Sequence, residues 1–283
     1  MDGNGRRTDD AGSHRPRSNV VQDQGSFRTR FNFPGRAVPG HDDHGYGPLS
    51  TVVESFMDPD TLISMHPHRN EEIVSWVPAG VMRHDDREGN DLVTDAENVL
   101  AMNAGSGFWH AEYTAPDDPP LRMLQIFVRP HGLGLDPGIQ HAPLPDPVPG
   151  EWRRVFGPDG SDAPVTVRNA VDLYDVRLDA NTSVDLPAEP GRDVYLYVFE
   201  GSVALNGSGA DGVGADGAGA DGVGADGAGT QGPGVGDERL SETESAVVEE
   251  GSAVTLTASE DAVLVAFLID PDAPITRQGT IGR

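Results

Sequence analysis

The sequence contains no cysteine and no lysine. Without cysteine there can be no disulfide, no iron–sulfur cluster and no thiolate chemistry, so any metal must be held by nitrogen and oxygen. All 20 basic residues are arginine, set against 46 Asp and Glu, for a formal net charge of -26. A phosphate backbone is gripped by clustered Lys and Arg. No such cluster occurs beyond the scatter Arg6, Arg7, Arg15 and Arg17, so direct nucleic-acid binding is not expected. A strong negative surplus without exposed lysine stems is the surface expected of a protein kept hydrated and apart in high salt, as in a halophile. GC-rich codon usage would also favour Arg over Lys. No apolar run approaches the length of a membrane span. The polar N-terminus shows no apolar signal core, and a cytoplasmic location is the default expectation.

Convincing three-turn helices are missing too. From about Phe31 onward, short apolar stretches alternate with Gly, Pro, Asp and Asn; Leu62–Met65, Ile73–Val77, Val99–Met102 and Leu121–Val128 are examples. These are strand lengths with turn signals between them. A second series follows the proline-rich APLPDPVP at 142–149 and includes Leu173–Leu178, Val194–Phe199 and Ala262–Ile269. The pattern predicts an all-β chain folded as two barrels. We expect a disordered polar leader over 1–32, a first barrel over 33–142 and a second over 143–283. The second carries a Gly/Asp-rich insert at 207–236, built on ADGVGADGAG. The insert's ten-residue period and its small apolar residues do not match the nonapeptide calcium roll, and it reads as a solvated loop.

Two doublets could carry chemistry: His66-Pro67-His68 and His110-Ala111-Glu112. On a strand, residues i and i+2 point to the same face. If the two strands are neighbours in a small barrel, His66, His68, His110 and Glu112 converge. Such a nitrogen- and oxygen-donor set suits Fe(II), Mn, Ni, Cu or Zn and leaves positions open for a substrate. The bland alternative is a set of surface or merely hydrogen-bonded histidines. Phe108, Trp109 and Phe127 are candidate pocket walls or plain core; Glu72 and Gln125 are candidates for orienting the ligands. No histidine occurs after His141, so the second barrel cannot repeat the site.

The run HPHRNEEIVSWVPAGVMRHDDREGN, with AMNAGSGFWHAEYT after it, resembles the signature of the pirin family. His66, Pro67, His68, Arg69 and Glu72 match its opening motif. Gly80, His84, Asp86, Gly89 and Asn90 match its central turn, and Ala104, Gly105, Gly107, His110 and Glu112 match its third segment. Leu124–Val128 resembles a further strand, and RAVPGHDDHG at 36–45 the upstream His–Gly segment. Asp95–Asn98 and Pro78–Gly80 depart from the family's usual turns without removing a ligand. The resemblance spans most of residues 33–270 and is specific only in the first half.

It implies a bicupin, two double-stranded β-helix barrels, with one divalent transition metal held by His66, His68, His110 and Glu112. Fe(II) is the first expectation for the ion. It also implies a metal-dependent dioxygenase of the quercetinase type, acting on a flavonol-like aromatic and O2, with Glu112 as both ligand and proton acceptor. Two other readings stay open: a non-catalytic, redox-sensing regulator that meets a protein partner, and a storage or isomerase-type cupin.

Overall fold

The computed structural model describes residues 19–208, 213–216 and 238–281. The first barrel runs β1 (Asn19–Asp23), β2 (Phe27–Asn32), a 3-10 turn (Pro34–Ala37), β3 (Leu49–Met57), β4 (Leu62–His68), β5 (Glu72–Ala79) and β6 (Met82–Asp86). It continues through β7 (Asp91–Thr94), β8 (Asn98–Asn103), β9 (Phe108–Tyr113), β10 (Leu121–Val128) and β11 (Gly138–Pro143). The second holds β12 (Arg153–Pro158), β13 (Val165–Val167), β14 (Val171–Leu178), β15 (Ser183–Asp185), β16 (Asp193–Glu200) and β17 (Ser202–Ser208). Its remaining strands are β18 (Val213–Asp216), β19 (Glu238–Ser241), β20 (Ser245–Val248), β21 (Ala253–Ala258) and β22 (Ala262–Ile269). Each barrel pairs a large sheet with a small one. The orders are β1-β2-β3-β10-β5-β8-β11 with β4-β9-β6-β7, and β13-β12-β14-β22-β16-β20-β18 with β15-β21-β17-β19.

The two large sheets pack face to face, which explains why their central strands read as near-continuous apolar runs. On β10, Leu124, Ile126 and Val128 join a core shared with the second barrel, while Met123 and Phe127 turn into the first. On β22, Val265, Phe267 and Ile269 face that shared core, and Leu264, Ala266 and Leu268 fill the second barrel. Buried charges at the seam are paired, as burial requires. The Trp76 indole N–H donates to Asp175 at 3.2 Å, Arg153 holds the same carboxylate, and Arg168 reaches Glu72 at 2.7 Å. The Tyr197 hydroxyl donates to Glu54 at 2.8 Å.

The two interiors differ. The second is one apolar cluster of Val, Leu and Ala. The first splits into two smaller clusters, one around Val53, Ile73 and Phe127 and one around Met57, Leu100 and Met123, and its wall also carries histidines and a buried glutamate.

The expected leader is corrected over 19–32. Residues Asn19–Asp23 and Phe27–Asn32 are strands, with β2 zipped antiparallel onto β3 from Phe27↔Met57 to Asn32↔Val52. The cause is a period-2 pattern masked by polar composition. Phe27, Thr29 and Phe31 face inward, whereas Arg28 and Arg30 pair with Asp58 and Glu54. Residues 1–18 of that leader lie outside the described residues. So does most of the 207–236 insert. Of it, Gly207 and Ser208 end β17, and Val213–Asp216 forms an edge strand on β20, not part of a loop.

Candidate metal centre

The small sheet of the first barrel builds the site. Its central strand β9 carries His110 and Glu112, one pleat apart and on one face. On one side β4 places His66 opposite His110; on the other β6 places His84 opposite Glu112 and Asp86 opposite His110. The β4 ladder shifts register between Ile63 and His66, an irregularity of the kind that re-aims side chains beside functional sites. The loop after β4 is held by the Asn70 N–H, which donates to Gly105 O at 2.8 Å. Gly105 itself sits at φ +49°, where an added Cβ would collide with Leu135 O, so only glycine fits this turn.

The donor atoms of His66, His68 and His110 all lie within 4.8 Å of one another, the single such group of three or more among the described residues. His110 Nε2 and His66 Nε2 are 3.0 Å apart. Two nitrogens bound at right angles to a first-row ion at about 2.1 Å would sit about 3.0 Å apart, the separation this His66–His110 pair already has. Two of their outer nitrogens are committed elsewhere, whereas His110 Nδ1 is buried without a hydrogen-bond partner among the described residues. The His66 Nδ1–H donates to Ser64 O at 2.9 Å, and His68 Nδ1 meets the Glu71 carboxylate at 2.5 Å. Each bond leaves Nε2 as the free lone pair and fixes the ring, the usual outer-shell arrangement of metal-binding histidines. Burial, together with the neighbouring rings of His66, His68 and His84, pushes the His110 pKa down to about 2. It is therefore a neutral imidazole, the form that binds metal.

Glu112 is buried but is not part of the tight trio; its Oε1 accepts from the Gln125 side-chain amide at 2.7 Å. Gln125 thus orients a candidate ligand, as expected. Glu72 does not: it faces the second barrel, bonded to Arg168 and Asn103. The partner of His68 is the preceding residue, Glu71.

Two further contributors, His84 and Asp86, stand in the sequence only as matches to the family's central turn, with no role at the site. The His84–Asp86 pair has the same i, i+2 spacing as the two doublets, a signal available in the sequence. Asp86 meets His84 Nε2 at 3.1 Å and also accepts from the Asn90 side chain and the Asn90 and Glu88 N–H groups, holding the His84 ring 5.3 Å from that of His110. Burial raises the Asp86 pKa, but the bonds from Asn90 and His84 outweigh it and leave the carboxyl below its ordinary value.

Beside the imidazoles lies a cavity of about 160 Å³, walled by Phe27, Phe31, Val53, Ile63, Phe127 and Ile281, with His66, His68, Glu112 and Gln125 at its polar end. Of the three aromatics considered from sequence, Phe127 lines this chamber and Phe108 belongs to the core. Trp109 is on the outer face, 38% exposed, beneath the Arg87 guanidinium.

Fold and site together define a bicupin with a three-histidine centre in one barrel, able to hold a metal. The family model for pirin matches residues 28–128, and that for the quercetinase C-terminal cupin domain matches residues 154–228. A Mycobacterium tuberculosis protein named "Putative quercetin 2,3-dioxygenase" is 32% identical over 185 residues, covering 64% of this chain and 74% of that protein. The quercetin 2,3-dioxygenase of Escherichia coli K12 is 29% identical over 165 residues, covering 58% and 70%. A pirin-like protein of Caulobacter vibrioides is 25% identical over 245 residues, covering 86% and 92%. The fold is similar to that of the E. coli pirin YhhW crystallised with nickel(II), with a TM-score of 0.67 at 19% identity over 89% of this chain and 95% of that one. The chain belongs to the pirin family.

Proposed function

We propose that this chain is a metal-dependent oxygenase that cleaves a flavonol-like aromatic with O2. The observation that carries the reading is the junction of His66, His68 and His110 with an apolar, aromatic-walled chamber. The names of its relatives point the same way. The three imidazoles and Glu112 would hold one divalent transition metal, with Fe(II) as the first candidate and Ni, Mn, Cu or Zn compatible with the same donors. When bound, the ion would polarise the adjacent hydroxyl and keto oxygens of the substrate and acidify that hydroxyl.

The rest falls to the protein. Phe31 and Phe127 offer flat apolar contact to an aromatic ring and, with Ile63, keep water from it. Glu112, steered by Gln125, either completes the ligand set or swings to take the hydroxyl proton, a role that requires it within hydrogen-bond reach of the bound substrate. His84, clamped by Asp86, backs His110 and limits its tilt.

The test is direct. Apoprotein loaded separately with Fe(II), Ni(II), Mn(II) and Cu(II) is given a flavonol, and release of carbon monoxide with uptake of O2 is measured. Turnover with at least one metal is expected. No carbon monoxide from protein carrying bound metal removes the oxygenase reading and leaves the metal-dependent regulator.

A further inference from the structure

After β22 the chain leaves the second barrel and returns to the first, where it is pinned at four places. The Thr276 N–H donates to Pro130 O at 3.2 Å, and Arg277 Nη2 donates to Asp43 at 2.9 Å. The Arg69 N–H donates to Thr280 Oγ1 at 3.0 Å, and the Ile281 N–H to Glu71 Oε2 at 3.1 Å. The last bond matters most, because Glu71 holds His68 through its other oxygen. The backbone runs so close that a Cβ on Gly279 would lie 2.9 Å from Glu71 Oε2.

The position of this segment is as telling as its anchors. Arg277–Thr280 lines a cleft of about 590 Å³ whose other wall is Pro67, His68, Arg69, Gly107 and Trp109. Ile281 lines the chamber of about 160 Å³ on the other side. His68 borders both. The chamber is smaller than a typical organic-ligand pocket of roughly 300–1,000 Å³, whereas the cleft falls within that range. Ile281 is 43% exposed, an apolar side chain at a rim and not in a core.

We propose that Arg277–Ile281 is the specificity-determining wall of the metal centre: a segment delivered by the second barrel that sets how large an organic chelator reaches the imidazoles of the first. Its ligand class is a planar aromatic carrying two adjacent oxygen donors. This rests on the reading that His66, His68 and His110 hold a metal. It gives the second barrel a part in the site although it supplies no ligand. Ile281 meets the ligand, and Glu71 is a positioning residue that ties the wall to His68.

The experiment uses the full chain loaded with Co(II) or Ni(II), with variants I281W, I281A and T280A. Metal content of one per chain in every variant establishes an intact centre. Binding of 3-hydroxyflavone, a large O,O-chelator, and maltol, a single-ring one, is followed by visible titration. I281W is expected to weaken 3-hydroxyflavone tenfold or more while maltol stays within twofold of wild type. I281A and T280A are expected to speed removal of the metal by EDTA several-fold. Equal 3-hydroxyflavone affinity in wild type and I281W, with unchanged EDTA rates in all variants, overturns the wall. If loaded wild type binds neither probe, the flavonol reading fails by itself and the EDTA rates decide the wall; if wild type binds no metal, both fall.

Discussion

At the scale of single residues, the site is a lesson in what neighbours do to an imidazole. His68 is useful because Glu71 occupies its Nδ1, and His110 is useful because burial keeps it neutral. Replacing Glu71 by Ala should leave the fold intact and lower metal affinity 10–100-fold, the usual cost of losing an outer-shell partner; competition with a chromophoric chelator measures it. His66→Ala or His110→Ala should lower bound metal from one per chain to near zero, by elemental analysis. A separate pH effect resides in Asp43. Burial raises its pKa, but the two-pronged Arg129 pair and Arg277 more than reverse this and hold it below the ordinary carboxylate range. A depressed folded pKa contributes stability that is present above the unfolded value of about 3.9 and is lost as pH falls through the folded one. Asp43→Asn should therefore be less stable than wild type at neutral pH, with the gap closing below about pH 4; thermal melts across pH 2–7 check the sign.

Among the elements, β10 does two jobs with one alternation. Its even-numbered residues Leu124, Ile126 and Val128 glue the barrels together, while Gln125 and Phe127 serve the metal chamber. Ile126→Ala should cost about 2–5 kcal/mol of stability, as large-to-small core changes do, with metal affinity preserved. Gln125→Leu should do the reverse: near-native melting, but a Glu112 without its donor and a changed Co(II) absorption spectrum. By composition strand β2 reads as leader, because Arg, Thr and Asn outweigh its two phenylalanines. The alternation FRTRF was legible, and only pairing with β3 decides that such a short, polar strand forms at all.

For the whole molecule, the shared core makes the two barrels one cooperative body, and a single unfolding transition is expected by calorimetry. The charge of -26 opposes compaction through self-repulsion. Screening shortens the reach of that repulsion from about 30 Å at 0.01 M salt to about 3 Å at 1 M, so the melting temperature should rise with KCl over that range. A flat or falling response would show that the acidic surface carries no such penalty.

The strand-length apolar runs, the break at the proline-rich stretch and the two HxH/HxE doublets made the all-β, two-barrel plan and the convergence of the candidate histidines legible in the sequence, because strand periodicity ties spacing to facing. Periodicity says nothing of which strand lies beside which. That His84 stands across from Glu112, that Glu71 and not Glu72 meets His68, and that residues 277–281 return from the far barrel to the cleft and chamber beside the histidines are matters of register and long-range packing. A one-residue step turns a strand's side chain to the opposite face, and only the closed tertiary structure chooses the step.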